Sequence, residues 1–317
     1  MGKLMSYDYF PAKREQSSAN KNTSFRFRRL RIVLTLSKGT FSEGSNAIVI
    51  DDLAMKVKIQ KLPFPDNGKC SAEIVGMRLQ DMECLTTLGW RPMYHNRNYI
   101  NIYAGDDESG LTEVFAGNIT RAFADFNSAP DVPLKIEGQV GFFGRITAAG
   151  PTSIKGVQTV ASFVKGQVER EGFTFENQGV TAQLRNCVFN GSPISQAYQA
   201  AHMVGAELIL DDKRAILMPD GETVRGNAVL ISKGSGMLKW PTITQNGIDV
   251  KTIFNPAYRF AGLVKIDTGG LIPKADGAWR IIKLSHSLSA NDPKAGDWES
   301  TMTCFYPHLS GAIGRFI

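Results

Sequence analysis

Apolar and polar residues alternate along much of this chain, and one alternating pattern occurs twice. The first copy runs from Ile100 to Gly105, from Phe115 to Phe126 and, after a Pro-bearing turn, from Leu134 to Val140. The second runs from Leu263 to Gly269, from Trp279 to Leu288 and, after Asn291 to Gly296, from Trp298 to Tyr306. A period of two bounded by Gly, Pro and Asn predicts strands, and three such strands joined by turns predict an antiparallel meander. A chain that carries one small β-unit twice is building something quasi-symmetric, which points to assembly rather than to chemistry.

The same pattern extends outward. Phe25 to Leu36 and Asn46 to Lys61 alternate as strands, with Ser37 to Thr40 and Pro63 to Gly68 supplying turns. Leu79, Met82, Leu85 and Leu88 recur at three-residue spacing, which predicts one short helix from Arg78 with Gly89 as its C-cap. From about 142 to 225 the period changes. Val160, Phe163, Val164 and Val168 share a helical face that Gly172 ends, and Phe173 to Phe175 follow as a strand. Ser192 is an N-cap with Pro193 at the first helical position; Ile194, Ala197, Tyr198 and Ala201 form the apolar stripe, and Gly205 closes the helix. Ala206 to Leu210 and Ala215 to Met218 flank Asp211-Asp212-Lys213-Arg214, which predicts a hairpin. Met237 to Thr244 and Ile248 to Phe254 return the chain to β.

The expected organisation is an extended arm at 1–23, a β-domain with one inserted helix at 24–141, a small α+β domain at 142–225, a second β-domain at 226–306 and a tail at 307–317. The fold class is mainly β with an α+β insertion.

At 317 residues with 43% hydrophobic content, the chain is long enough for two or three cores. No apolar run reaches the roughly 18 residues of a membrane span, and Met1 to Arg14 lacks a signal-peptide core, so the expectation is a chain made in the cytoplasm with no membrane insertion. Cys70, Cys84, Cys187 and Cys304 stand far apart, as small core residues do and zinc ligands do not. The net charge of +6 permits a nucleic-acid contact without demanding one. Arginines and aromatics interleave from Phe25 to Arg31, as in single-strand binders, but a strand with a solvated or subunit-contacting face is the preferred reading.

Catalytic patterns are sparse. Gly234-Ser235-Gly236 lacks the rest of a phosphate loop, no nucleophile elbow occurs, and His95, His202, His286 and His308 have no local partners. His286 falls inside an alternating strand as a packed or interface residue. Asp106-Asp107-Glu108 is the best candidate for paired-carboxylate hydrolysis of cell-wall glycan. Three acids before Ser109-Gly110 between two strands are also what a solvated hairpin loop contains, and Asp51-Asp52 and Asp211-Asp212 fall in turns too. No catalytic, cofactor-binding or metal residue is nominated.

Several segments in order resemble the central hub proteins of bacteriophage baseplates, the group of the phage Mu and T4 hubs and the P2-type tail protein D. They are Leu53 to Lys61 followed by Ala72 to Val75, Ile100 to Gly105 with Phe115 to Ile119, Phe189 to Ile194 with its helix, and Pro241 to Pro256 before Gly277 to His286. The resemblance covers roughly residues 25 to 306. It implies a homotrimer in which each subunit supplies two related antiparallel β-barrel tube domains, so that three chains present six similar surfaces. It further implies a structural role in the virion, between a hexameric tail tube and a trimeric central spike, with contacts to other baseplate proteins. Passing DNA would cross it without sequence specificity, and no cofactor or enzymatic activity is implied.

Overall fold

The computed structural model describes residues 27–87, 96–292 and 296–307. Alternation puts Leu30, Ile32 and Leu34 on the buried face of β1 (Arg28–Thr35). β2 (Ala47–Ile50) and β3 (Ala54–Lys61) follow, so the single strand expected from Asn46 to Lys61 is divided. The break falls where Asp51 turns its carboxylate to the Arg31 guanidinium at 2.7 and 2.9 Å. β4 (Lys69–Val75) pairs antiparallel with β3. In α1 (Leu79–Leu85), Met82 and Leu85 are buried but Leu79 is exposed. The helix stops early: Thr86 donates its hydroxyl to the Met82 carbonyl at 2.9 Å, and the expected Leu88 and Gly89 lie outside the described residues. β5 (Tyr99–Asp106), β6 (Gly110–Ala124) and β7 (Pro133–Gln139) form the first meander. A Cβ on Gly105 would stand 1.8 Å from the Gly110 carbonyl oxygen, so this close hairpin approach requires glycine.

The middle region opens with α2 (Phe142–Ile146), β8 (Ala149–Ser153) and β9 (Val157–Thr159). α3 (Val160–Glu169) buries Val160, Phe163, Val164 and Val168, and the Thr159 hydroxyl caps it by accepting from the Ser162 amide at 3.3 Å. After β10 (Thr174–Asn177), β11 (Gln183–Arg185) and β12 (Val188–Gly191) comes α4 (Pro193–Met203). Ser192 is its N-cap, accepting from the Ser195 amide at 3.2 Å, with Pro193 beginning the helix. β13 (Ala206–Asp211) and β14 (Arg214–Pro219) form the expected hairpin, and β10 extends it in parallel with β14. β8 pairs with β12 and β9 with β11, two ladders too short to leave a period in the sequence.

β15 (Val229–Ser232), β16 (Met237–Thr244) and β17 (Gly247–Ile253) precede β18 (Leu263–Asp267), β19 (Gly277–Ala290) and β20 (Trp298–Phe305). β18, β19 and β20 are the second meander, antiparallel throughout. The first half of β19 pairs with β18, whereas Leu284 to Ala290 pair with β3. That exchange joins both meanders in one thirteen-stranded sheet, ordered β16-β17-β20-β19-β3-β4-β7-β6-β5-β1-β2, with β18 attached at β19 and β15 at β18. The expectation of two barrels is therefore met only in its strands. No ladder closes either meander on itself among the described residues, because β3 and β19 direct their backbone groups to each other.

Packing follows the same logic. Buried side chains of the first meander and of α3, α4, β13 and β14 belong to one apolar cluster that includes Ile32, Ile59, Phe115, Val164 and Ala197. Ile231, Val250, Val264, Trp279 and Met302 form a second cluster beneath the second meander, and Ile209, Ile216, Phe260 and Ala261 a third.

Candidate functional site

The period of two in β3 places Lys61 in phase with Val57 and Ile59, on the buried face. Its Nζ lies 2.6 Å from Asp211 Oδ1 and 2.7 Å from Asp212 Oδ2, at the turn of the β13–β14 hairpin. Asp212 takes a left-handed backbone (φ 57°), which Asp tolerates, and its other oxygen accepts from the Ala116 amide of β6 at 3.1 Å. Arg214 adds a longer contact to Asp211 at 3.4 Å. Lys61 thus faces two carboxylates in a largely buried site. Burial disfavours the Lys61 charge, but the two carboxylates overcome that and raise its pKa. Burial also opposes ionisation of Asp211, yet Lys61 holds its pKa below the usual carboxylate range. Asp212 receives less help than its burial costs and is pushed up to about 6.

One further ion pair binds the middle region to the second meander, and a buried histidine packs inside that meander. Arg280 of β19, 4% exposed, reaches Glu207 of β13 at 2.5 Å. Burial pushes the Glu207 carboxyl up against the pull of Arg280. His286 of β19 is buried beside Phe254, with its Nδ1 2.8 Å from Ser300 Oγ. Desolvation first, and repulsion from Lys61 second, lower its pKa to about 3.

His286 was expected as a packed or interface residue, whereas the Lys61 cluster and the Arg280–Glu207 pair escaped the sequence reading, which treated Asp211 and Asp212 as ordinary turn acids. The available signal was Lys61 itself, a cation standing at an apolar position of an alternating strand. The acids singled out earlier do something else. Asp106 closes the β5–β6 hairpin by accepting from the Glu108 and Ser109 amides at 3.0 and 2.6 Å, and Asp107 accepts from the Phe27 amide at 3.1 Å. In the basic stretch, Phe25 and Arg26 lie outside the described residues, as do His95 and His308. Arg28 donates to the Gly296 carbonyl at 3.2 Å and lies over the Trp298 ring, while Arg31 is held by Asp51. Both arginines serve intramolecular contacts. Of the four cysteines expected in the core, Cys70 and Cys304 are buried, but Cys187 is only partly buried and Cys84, on α1, is exposed; no group of three metal-ligating side chains occurs among the described residues. No described helix is long and apolar enough to cross a membrane.

The outward features are the sheet edges. β16 is the terminal strand at one end of the path and β2 at the other. Along β16, Leu238, Trp240 and Ile243 are 48, 46 and 57% exposed, and Ile253 of neighbouring β17 is 48% exposed. An edge strand with exposed apolar side chains is a ready template for another chain.

This architecture is shared with phage tail proteins. The 43 kDa tail protein of prophage MuSo2 from Shewanella oneidensis superposes with a TM-score of 0.57 at 10% identity, covering 89% of this chain and 98% of that one. A tail protein from Neisseria meningitidis MC58 gives 0.59 at 9% identity with the same coverages. The E. coli c3393 protein, a type VI secretion component described as similar to the T4 tail proteins gp27 and gp5, gives 0.54 at 9% identity over 80% of this chain and 73% of its own. At such identities these likenesses concern the fold alone. No curated protein matches at the level of sequence. The model of the family described as Baseplate hub gp41 matches residues 29–295, and the chain accordingly belongs to that family of structural phage baseplate proteins.

Proposed function

We propose that the protein is the homotrimeric hub of a phage baseplate, fitting a hexameric tail tube to a trimeric central spike and enclosing part of the DNA conduit. The observation that carries this is the joined pair of meanders, β5–β6–β7 and β18–β19–β20, in one open sheet whose β16 edge is apolar. Three copies of a chain with two related units present six similar surfaces, which resolves a threefold-to-sixfold mismatch. In this reading 24–141 and 226–306 are the two tube units, and their closure into barrels is completed by neighbouring copies. Residues 142–225 are the intervening domain, fastened to both units through Lys61, Asp211, Asp212 and the Arg280–Glu207 pair. The arm at 1–23 and the tail at 307–317 reach other baseplate proteins. Assembly takes place in the host cytoplasm, and the mature location is the virion tail.

Obligate interfaces of this kind bury roughly 2,000 Å² or more. Mass photometry of the purified chain, alone and with tube and spike proteins, tests the reading. A trimer is expected, and a monomer under all three conditions overturns it. The engagement of Asp106 in its own hairpin also favours a non-enzymatic role. Replacing Asp106, Asp107 and Glu108 together by alanine is expected to leave cell-wall degradation by the tail unchanged.

A further inference from the structure

The Lys61 cluster brings together the groups that amide formation between two side chains requires. Such a bond needs an amine and a carboxyl carbon in lasting contact, a site that keeps most water out, and a neighbouring acid that carries protons between them. Lys61 Nζ lies 2.6 Å from Asp211 Oδ1, and the two side chains are 10 and 6% exposed. Among the described residues, no other lysine–carboxylate pair is so withdrawn on both sides. Asp212 supplies the neighbouring acid: its Oδ2 is 2.7 Å from the same Nζ, while the Ala116 amide holds its Oδ1 at 3.1 Å. Arg214 stands on the far oxygen of Asp211, 3.4 Å from Oδ2. Both partners are held by backbone ladders, Lys61 on β3 between β4 and β19, and Asp211 at the end of the β13–β14 hairpin.

We propose that Lys61 and Asp211 join in an isopeptide bond, formed within the folded chain with Asp212 as the proton carrier. The ion pair is the resting form. Asp212 takes one proton from Nζ and hands it to Asp211 Oδ1, leaving a neutral amine beside a neutral carboxyl. Burial raises the Asp212 pKa to about 6, close enough to neutrality for it to exchange protons in both directions. The Nζ lone pair then adds to the Asp211 carboxyl carbon, and the charge that develops on Oδ2 faces the Arg214 guanidinium. Asp212 carries a second proton from nitrogen to Oδ1, the bond from carbon to Oδ1 breaks, and that oxygen leaves as water. Two of the ammonium protons depart in the water and the third stays on the amide nitrogen, so Asp212 ends as it began and no outside reactant is consumed. Each molecule completes the step once, so a slow reaction suffices.

The bond ties residues 150 positions apart and fastens the middle region covalently to β3, the strand that joins the two meanders through β19. A cross-link over so long a loop restricts the unfolded chain as a disulfide does, in a protein whose described cysteines are free. It holds whether or not the chain forms a trimer.

Intact-mass spectrometry of the purified full chain, denatured before measurement, tests this. The mass is expected to fall one water short of the sequence, and a tryptic digest to contain a branched peptide joining residues 59–69 to residues 186–213. Lys61→Arg and Asp211→Ala are expected at full mass without the branched peptide. Asp212→Asn keeps the Lys61–Asp211 pair and, with circular dichroism confirming that it folds, separates chemistry from folding. Its linked fraction, followed after a pulse of synthesis, is expected to grow at least about a hundredfold more slowly than that of the unmodified chain. An unmodified chain at full sequence mass overturns the proposal. So does a water loss confined to one linear peptide, which marks a succinimide at Asp220-Gly221 or Asp276-Gly277 instead. Linkage of Asp212→Asn at the unmodified rate overturns the role of Asp212, and a branch at Asp212 overturns that of Asp211.

Discussion

Lys61 and Asp212 lie 151 positions apart in the chain, and their charged groups meet at 2.7 Å in a partly buried site. The contact fastens the last residue of β3 to the tip of the β13–β14 hairpin. β3 is also the strand that joins the two meanders through β19, so one ion cluster ties the middle region to the seam of the sheet.

Removing Lys61 from this cluster leaves two largely buried carboxylates side by side, with only the longer Arg214 contact to Asp211. Lys61→Met is expected to destabilise the fold by about 3–5 kcal/mol, as breaking a buried pair does. The triple change K61M/D211N/D212N removes the uncompensated charge and should recover much of that loss. Urea denaturation of the three proteins checks this, and a loss below about 1 kcal/mol in Lys61→Met contradicts the assigned role.

Stability should also depend on pH through His286. Its folded pKa of about 3 lies below the ordinary histidine value, so the folded state keeps it neutral. As pH falls below about 6.5, the unfolded chain takes up a proton that the fold refuses, and stability declines towards pH 3, at up to about 1.4 kcal/mol per unit. Asp212 acts in the opposite sense. Its raised pKa means that the fold holds a proton that the unfolded chain releases, so its contribution weakens as pH rises from about 4 to 6. Thermal midpoints from pH 7 to 5 should fall less steeply in His286→Asn than in the unmodified protein, and parallel curves would count against the histidine.

The exposed apolar edge makes a separate prediction about assembly. Trp240→Glu changes a half-exposed residue of β16 and should leave the monomer's circular dichroism and melting unchanged. If the proposed homotrimer is sealed along β16, sedimentation velocity should show it shifted towards monomer by at least about tenfold in association constant, the loss expected when an interface aromatic is replaced by a charge. Retention of full trimer would exclude β16 from the interface.

Ser192 offers a local test of how α4 is held. Its hydroxyl accepts from the Ser195 amide and begins the helix that packs against α3. Ser192→Ala should cost about 1 kcal/mol, and Ser192→Asp, which keeps an acceptor at the N-cap, should cost less. Chemical denaturation distinguishes the two, and equal losses would show that the cap does not carry the effect.

Local order was legible in the sequence because it is written in short periods. Leu30, Ile32 and Leu34 mark β1 by alternation, Val160, Phe163, Val164 and Val168 mark α3 by helical spacing, and Ser192-Pro193 marks the start of α4. The β8–β12 and β9–β11 ladders were not legible, since strands of three to five residues carry too few alternations.

By itself, then, the sequence determined the two meanders, the Ser192 cap of α4, the β13–β14 hairpin and the anomaly of Lys61 at an apolar position. Strand pairing beyond neighbouring segments was decided only in three dimensions, because backbone amides and carbonyls carry no label of their partner. So β3 could meet β19 and make one open sheet of what the pattern presented as two units. The same reason governs the site: Asp211 and Asp212 read as turn acids until the fold withdrew them from water and placed Lys61 between them, and burial changed ordinary loop residues into a structural fastening.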